Sequence, residues 1–140
     1  MEATLFISFR ISGIGLDINA ITDKMGLKPC YTFKKGDVIK DRFSVVHVQN
    51  EDCWMFDTEP QASDDLDKII SGFVSKYLTN RAFIRELSEK SNVTVWCEIY
   101  PESEQYNIHL SSSVMFLLQD LGVSLDVSML NLQRFYRGNY

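Results

Sequence analysis

The chain has 140 residues, a net charge of −5, 45% hydrophobic residues and 12% aromatic residues. That length suits one ordinary domain that buries roughly 70% of its unfolded surface without disulfide or metal staples. The apolar content excludes a disordered chain, which needs low hydrophobicity and high charge, and the acidic balance argues against nucleic acid, whose binding needs phosphates to be neutralised.

Leu5, Ile7, Phe9 and Ile11 alternate with Thr4, Ser8 and Arg10, so residues 3–11 read as a strand, with Phe6 adding apolar bulk to its second face. After the loop at Gly13 and Gly15, Asp17 is placed to cap a helix whose buried stripe is Ile18, Ile21, Thr22 and Met25. Gly26 stops that helix in the left-handed conformation and Pro29 forbids its continuation. Cys30 to Phe33 is a strand, and Lys34-Lys35-Gly36-Asp37 is a turn in which the Asp37 carboxylate bonds turn amides. Phe43 to Val48 and Cys53 to Thr58 are β-rich runs that predict a hairpin with the loop Gln49 to Asp52.

Ser63 or Asp64 is expected to cap the next helix, whose stripe runs through Leu66, Ile69, Ile70, Phe73, Val74, Tyr77 and Leu78. Asn80 marks a break before a second helical piece with Phe83, Ile84 and Leu87 inward. Val93, Val95, Cys97 and Ile99 alternate with Thr94, Trp96, Glu98 and Tyr100 in a strand, and Tyr106 to Leu110 is expected to return beside it. Ser111 to Ser113 offer caps for a short helix that Gly122 ends, and Val123 to Met129 alternates as a final strand. The order is β-α-β-β-β-α-β-β-α-β. It predicts an α+β fold, a largely antiparallel sheet with helices packed mainly on one face. One domain is expected over 1–130, followed by an aromatic, basic tail at 131–140.

Three cysteines, Cys30, Cys53 and Cys97, are odd in number, widely spaced and set in apolar runs. They fit buried free thiols in a reducing compartment and neither a disulfide framework nor a Cys-x-x-Cys metal knuckle. MEATLFISFRISG lacks the basic start and long apolar run of a signal peptide, and no segment approaches the ~18 apolar residues of a membrane span. The expected location is the cytoplasm. Charge is uneven. Between Glu51 and Asp67 there are seven acids and no Lys or Arg, so this segment carries −7 and leaves +2 for the rest.

The stretch around the first helix resembles a bacterial family known as domain of unknown function 4279. The residues that carry the likeness are Asp17, Ile21, Thr22, Gly26, Leu27, Pro29, Lys35, Gly36 and Asp37. A second match is Leu110-Ser111, the short helix, Leu121-Gly122 and the alternating strand to Met129, and Trp54 stands about where the family carries a tryptophan. The resemblance implies an α+β fold and a bacterial origin and supplies no catalytic residues.

No catalytic set assembles from the residues. His47 and His109 each lie in a β run, and neither has the spaced partners that a metal site requires. Gly13-Ile14-Gly15 lacks the third glycine of a dinucleotide fingerprint, and Asp17 at the cap would repel phosphate. No cofactor is implied. Trp54, Trp96, Tyr100 and Tyr106 are candidates for an aromatic patch. The leading reading is a non-enzymatic protein-binding module, an immunity-type protein that neutralises a cationic toxin domain. Its contact is expected at Trp54, Asp57, Glu59, Asp64 and Asp65, where acids would steer and the aromatic would anchor. No nucleic acid and no membrane partner is expected. The alternatives are a small-molecule binder or enzyme built on His47 or His109 with Lys35, and an oligomerising domain pairing copies through a sheet edge or the tail.

Overall fold

The computed structural model describes residues 3–41, 43–103 and 105–130, and the expected tail at 131–140 lies outside them. In chain order the elements are β1 (Ala3–Gly13), α1 (Ile18–Met25), β2 (Tyr31–Phe33), β3 (Val38–Lys40), β4 (Val46–Val48), β5 (Asp52–Asp57) and β6 (Gln61–Ser63). They continue with α2 (Leu66–Tyr77), α3 (Arg81–Lys90), β7 (Asn92–Pro101), α4 (Ser112–Leu121) and β8 (Ser124–Met129). The fold is α+β, with helices interspersed among strands in the expected order.

The main sheet runs β2-β5-β1-β7-β8, with β6 also on β1. Every pairing in it is antiparallel except β7 with β8. The period of two explains its two faces. Leu5, Ile7, Phe9 and Ile11 of β1 and Val93, Val95, Cys97 and Ile99 of β7 are buried, in one cluster with Ile21, Ile70, Phe73, Ile84 and Leu118 of the helices. The intervening side chains, among them Phe6, Ser8, Arg10, Trp96, Glu98 and Tyr100, lie on a face that no helix of this core covers.

Helix boundaries follow local chemistry. The Asp17 carboxylate accepts from Ala20 N at 3.1 Å, and Gly26 ends α1 at φ 66°. Asn80 caps α3, Ser111 caps α4, and Gly122 ends α4 at φ 72°. Gly36 at φ 92° and the bond from Lys34 N to the Asp37 carboxylate, 2.8 Å, build the expected turn. The cap of α2 is Asp65, one residue beyond the expected Asp64, and Ser63 Oγ accepts from Asp65 N.

Two expected pairings differ. The segments at 43–48 and 53–58 do not form a hairpin with each other. β4 pairs with β3, and β5 joins the main sheet between β1 and β2. The turn that wins is at Asp41, whose carboxylate accepts from both Phe43 N and Val45 N, with Ser44 at φ 61°. That local turn closes β3 onto β4, and frees β5 to place Trp54 opposite Ile11. Residues 106–110 form no strand, because the parallel strand β8 occupies the free edge of β7. Tyr106 and Leu110 pack against the margin of the core instead.

Candidate functional site

The uncovered face is organised by β1 and β7. Their register places Ser8 opposite Trp96 and Arg10 opposite Thr94, so Arg10 and Trp96 are diagonal neighbours on one face. The Arg10 guanidinium carbon lies 3.3 Å from the centre of the Trp96 ring, a close cation–π stack. Among the described residues Arg10 Nε is buried without a hydrogen-bond partner, and none of their ion pairs engages this guanidinium. Burial pulls the Arg10 guanidinium below its ordinary value, opposed by charge from Cys53, Asp57, Glu98 and Asp126. Phe6 meets Tyr100 edge-on at 5.4 Å, and Tyr31 stacks with Phe33 at 6.4 Å.

A hollow of about 420 Å³ opens on this face, lined by Arg10, Tyr31, Met55, Asp57, Trp96 and Glu98 among others. Its shape comes from an interruption in the neighbouring strand. Asp57 opposes Ser8 and Gln61 opposes Leu5, so Phe6 and Ile7 of β1 face the longer stretch Thr58, Glu59 and Pro60. An extra residue against a continuous partner is the arrangement of a β-bulge, which bends the strand and re-aims its side chains. Pro60 has no amide to continue the ladder, while Thr58 ties the bulge back through its amide to Ile7 O at 3.2 Å. The same interruption opens a second hollow of about 510 Å³ on the helix side, between Glu59 and the Ile69, Phe73 and Tyr77 edge of α2.

Burial and neighbouring groups shift Arg10, Asp57 and Tyr100 of the uncovered face from their ordinary values. Burial pushes the Asp57 carboxyl up, Arg10 opposes this and Glu98 adds to it. The Tyr100 hydroxyl donates to Glu98 at 2.9 Å, and this bond is the main reason its own proton is held more tightly. Burial raises the Cys53 thiol and takes Cys97 to about 12, so both stay protonated at neutral pH. Of the three thiols expected to be buried, only Cys97 is fully so: Cys53 is half-buried and Cys30, just before the edge strand β2, is exposed. Among the described residues no group of three or more His, Cys, Asp or Glu side chains is placed to hold a metal ion. His47 bonds Asp41 at 2.9 Å in the β3–β4 hairpin, and neither histidine nor Lys35 lines the open-face hollow. No helix among the described residues is long and apolar enough to cross a membrane.

The residues singled out in the sequence do not form one surface. Trp54 is fully buried, the largest enclosed side chain of the core, and its indole N–H donates to Thr22 Oγ1 at 3.0 Å. It is an anchor for α1 and is not available to a partner. Alternation explains the correction, since Trp54 shares a side of β5 with Phe56 and faces the helices. Asp65 is an exposed helix cap, accepting from Lys68 N at 3.1 Å. Asp64 is exposed at the same end of α2, where its charge and that of Asp65 add to the burial that raises the Tyr106 hydroxyl. Glu59 lines the helix-side hollow, and Asp57 alone of the five lines the open-face hollow. Two further acids of the −7 segment are structural. Asp67 accepts from Ser111 N at 2.6 Å, and Asp52, 6% exposed, accepts from Leu16 N and Lys35 N at 2.9 and 2.7 Å.

Trp96 and Tyr100 of this face belong to the aromatic patch expected from the sequence, whereas Arg10, Glu98, Tyr31 and Phe6 were not expected at a site. The outward positions of the two long strands were legible as a class, and their charged and aromatic content was the available signal. Their proximity depends on β1 and β7 being neighbours across 80 or so intervening residues, which no local pattern encodes.

The family whose description is Domain of unknown function (DUF4279) matches residues 2–132. The chain belongs to this family. No curated protein and no solved structure matches it. In this DUF4279 domain the motif residues around α1 serve the fold. Asp17 and Gly26 bound the helix, and the turn at Lys34–Asp37 is bonded to the buried Asp52 carboxylate through Lys35 N.

Proposed function

We propose that this DUF4279 domain is a non-enzymatic protein-binding module that engages a cationic protein through its uncovered sheet face. The observation that carries the reading is the Arg10–Trp96 stack at the centre of a half-open face edged by Tyr31, Phe6 and Tyr100. Trp, Tyr and Arg are the residue types on which binding energy concentrates, above all in concave and largely desolvated settings. Asp57, Glu98 and Asp126 act electrostatically on Arg10, so acids outnumber the one base at the centre of the face. The whole chain is also acidic, which speeds encounter with a basic partner and makes that encounter salt-dependent.

The finer form of the proposal is an immunity-type protein that neutralises a cationic bacterial toxin domain in the cytoplasm. Small size, acidic charge and a preformed aromatic face support it. The test is capture from the native host at low salt, with the wild-type chain beside Trp96→Ala and Asp64→Asn. A stoichiometric basic protein retained by wild type and Asp64→Asn, and lost by a folded Trp96→Ala, is the expected result. Absence of such a protein, or retention by Trp96→Ala, overturns the reading. For the finer form, a toxin-domain gene beside this one should be lethal when expressed alone and tolerated when both are expressed.

A further inference from the structure

The hollow on the uncovered face has a chemistry more specific than that of a general contact surface. Two carboxylates line it, Asp57 from β5 and Glu98 from β7, on either side of β1. The third charged side chain lining it is Arg10, which is spread over the Trp96 ring and forms no ion pair within 4.0 Å among the described residues. Among the described residues the two acids therefore have no bonded counter-ion. Glu98 accepts one hydrogen bond from Tyr100, and the ionised form of Asp57 is disfavoured by its own burial and by Glu98. A guest that brings a positive charge relieves both. The walls between the acids are aromatic and apolar, Tyr31, Met55 and Trp96, suited to an alkyl stem ending in a charged head. At about 420 Å³ the space exceeds one side chain and falls in the range of small-ligand sites.

We propose that this hollow is a receptor for one cationic side chain, arginine or lysine, with Asp57 and Glu98 holding the head and Tyr31 and Trp96 flanking the stem. The site deepens the binding-module reading by naming the group that anchors the partner, and it rests on that reading for its biological use. Arg10 positions the Trp96 ring and limits the net charge of the hollow.

The test uses the full chain, labelled with ¹⁵N, and four probes: N-acetyl-arginine amide, N-acetyl-lysine amide, and the neutral near-isosteres N-acetyl-citrulline amide and Nα,Nε-diacetyl-lysine amide. Saturable shifts at the Trp96 indole N–H and the amides of Tyr31, Asp57 and Glu98 are expected for at least one cationic probe. The better of arginine and lysine identifies the head group. Binding should weaken about tenfold in Asp57→Asn and in Glu98→Gln, the loss of one charge-assisted bond, and stay unchanged in Asp64→Asn. A structural role alone would not produce this pattern, because Asp57→Asn removes a charge the fold disfavours and should not lower the melting temperature. Equal binding of the neutral probe, shifts confined to another surface, or no saturable shift with either cation overturns the receptor. Failure of host capture with the cation response intact removes the protein partner and leaves the receptor. Capture that depends on Trp96 without any cation response does the reverse.

Discussion

The same sheet carries two tryptophans with opposite fates. Trp54 points into the helix-covered face and is fully enclosed, with its one polar atom bonded to Thr22. Trp96 lies on the uncovered face, half-buried, with one side of its ring taken by Arg10. The helix-covered face shows how the molecule holds together: apolar side chains at every second position, and orphan backbone groups met by Asp17, Asp65, Asn80 and Ser111 at the helix ends. The uncovered face keeps a guanidinium without an ion pair among the described residues and a carboxyl whose ionised form burial disfavours. Groups that lower stability while being held in one place are those a partner can satisfy.

The sharpest way to break this contrast is to make one substitution on each face. Trp54→Ala should cost about 3–5 kcal/mol, since it empties the space of the largest enclosed side chain and removes the indole hydrogen bond to Thr22. Trp96→Ala should cost only about 1 kcal/mol, the worth of the lost cation–π stack. Urea unfolding of both variants checks this, and equal losses would erase the distinction.

Asp52 tests the covered side at its margin. Hydrogen bonds from Lys35 N and then Leu16 N hold its carboxyl below the ordinary value, against the opposing effect of burial. A depressed folded-state pKa contributes stability that is present above the unfolded value, near 3.9, and is lost as pH falls through the folded value. Asp52→Asn should therefore lower the melting temperature at pH 7, and the difference from wild type should shrink steadily in acid. A difference that does not vary with pH would refute this assignment.

The two glycine stops give a smaller and graded effect. A methyl group at Gly26 would meet nothing within 4 Å, so Gly26→Ala should cost about 1–2 kcal/mol from the left-handed backbone alone. At Gly122 the same methyl would also run into the Ser88 side chain of α3, so Gly122→Ala should cost more than Gly26→Ala by thermal unfolding.

The smallest effect has the opposite sign and belongs to the uncovered face. Because the Asp57 carboxyl is raised in the folded state, the folded chain binds the extra proton and wild type loses stability as pH rises through that interval. Asp57→Asn should match or slightly exceed wild type in melting temperature at pH 7 and lose that advantage in acid. A clear destabilisation at pH 7 would mean that Asp57 serves the fold.

Much of the architecture was legible in the chain. Helix starts and stops were readable at Asp17, Gly26, Asn80, Ser111 and Gly122, because capping is decided within four residues and each side chain's role is local. The faces of β1 and β7 were equally plain, since alternation is a property of the strand itself. The pairing of β4 was not, because two candidate turns competed and the Asp41 turn won over the Gln49–Asp52 loop. The acidic segment also misled for a physical reason. A count of charge does not reveal that Asp52, Asp65 and Asp67 are engaged with backbone amides.

The sequence by itself determined the α+β class, the helix boundaries and which residues of each long strand share a side. Those follow from periodicity and from groups a few residues apart. Only the tertiary structure decided that Trp54 is core and Trp96 is surface beside Arg10, and that Asp57 and Glu98 line one hollow from either side of β1. These are outcomes of strand order and register, set by which edges remain free once every long strand has buried one face.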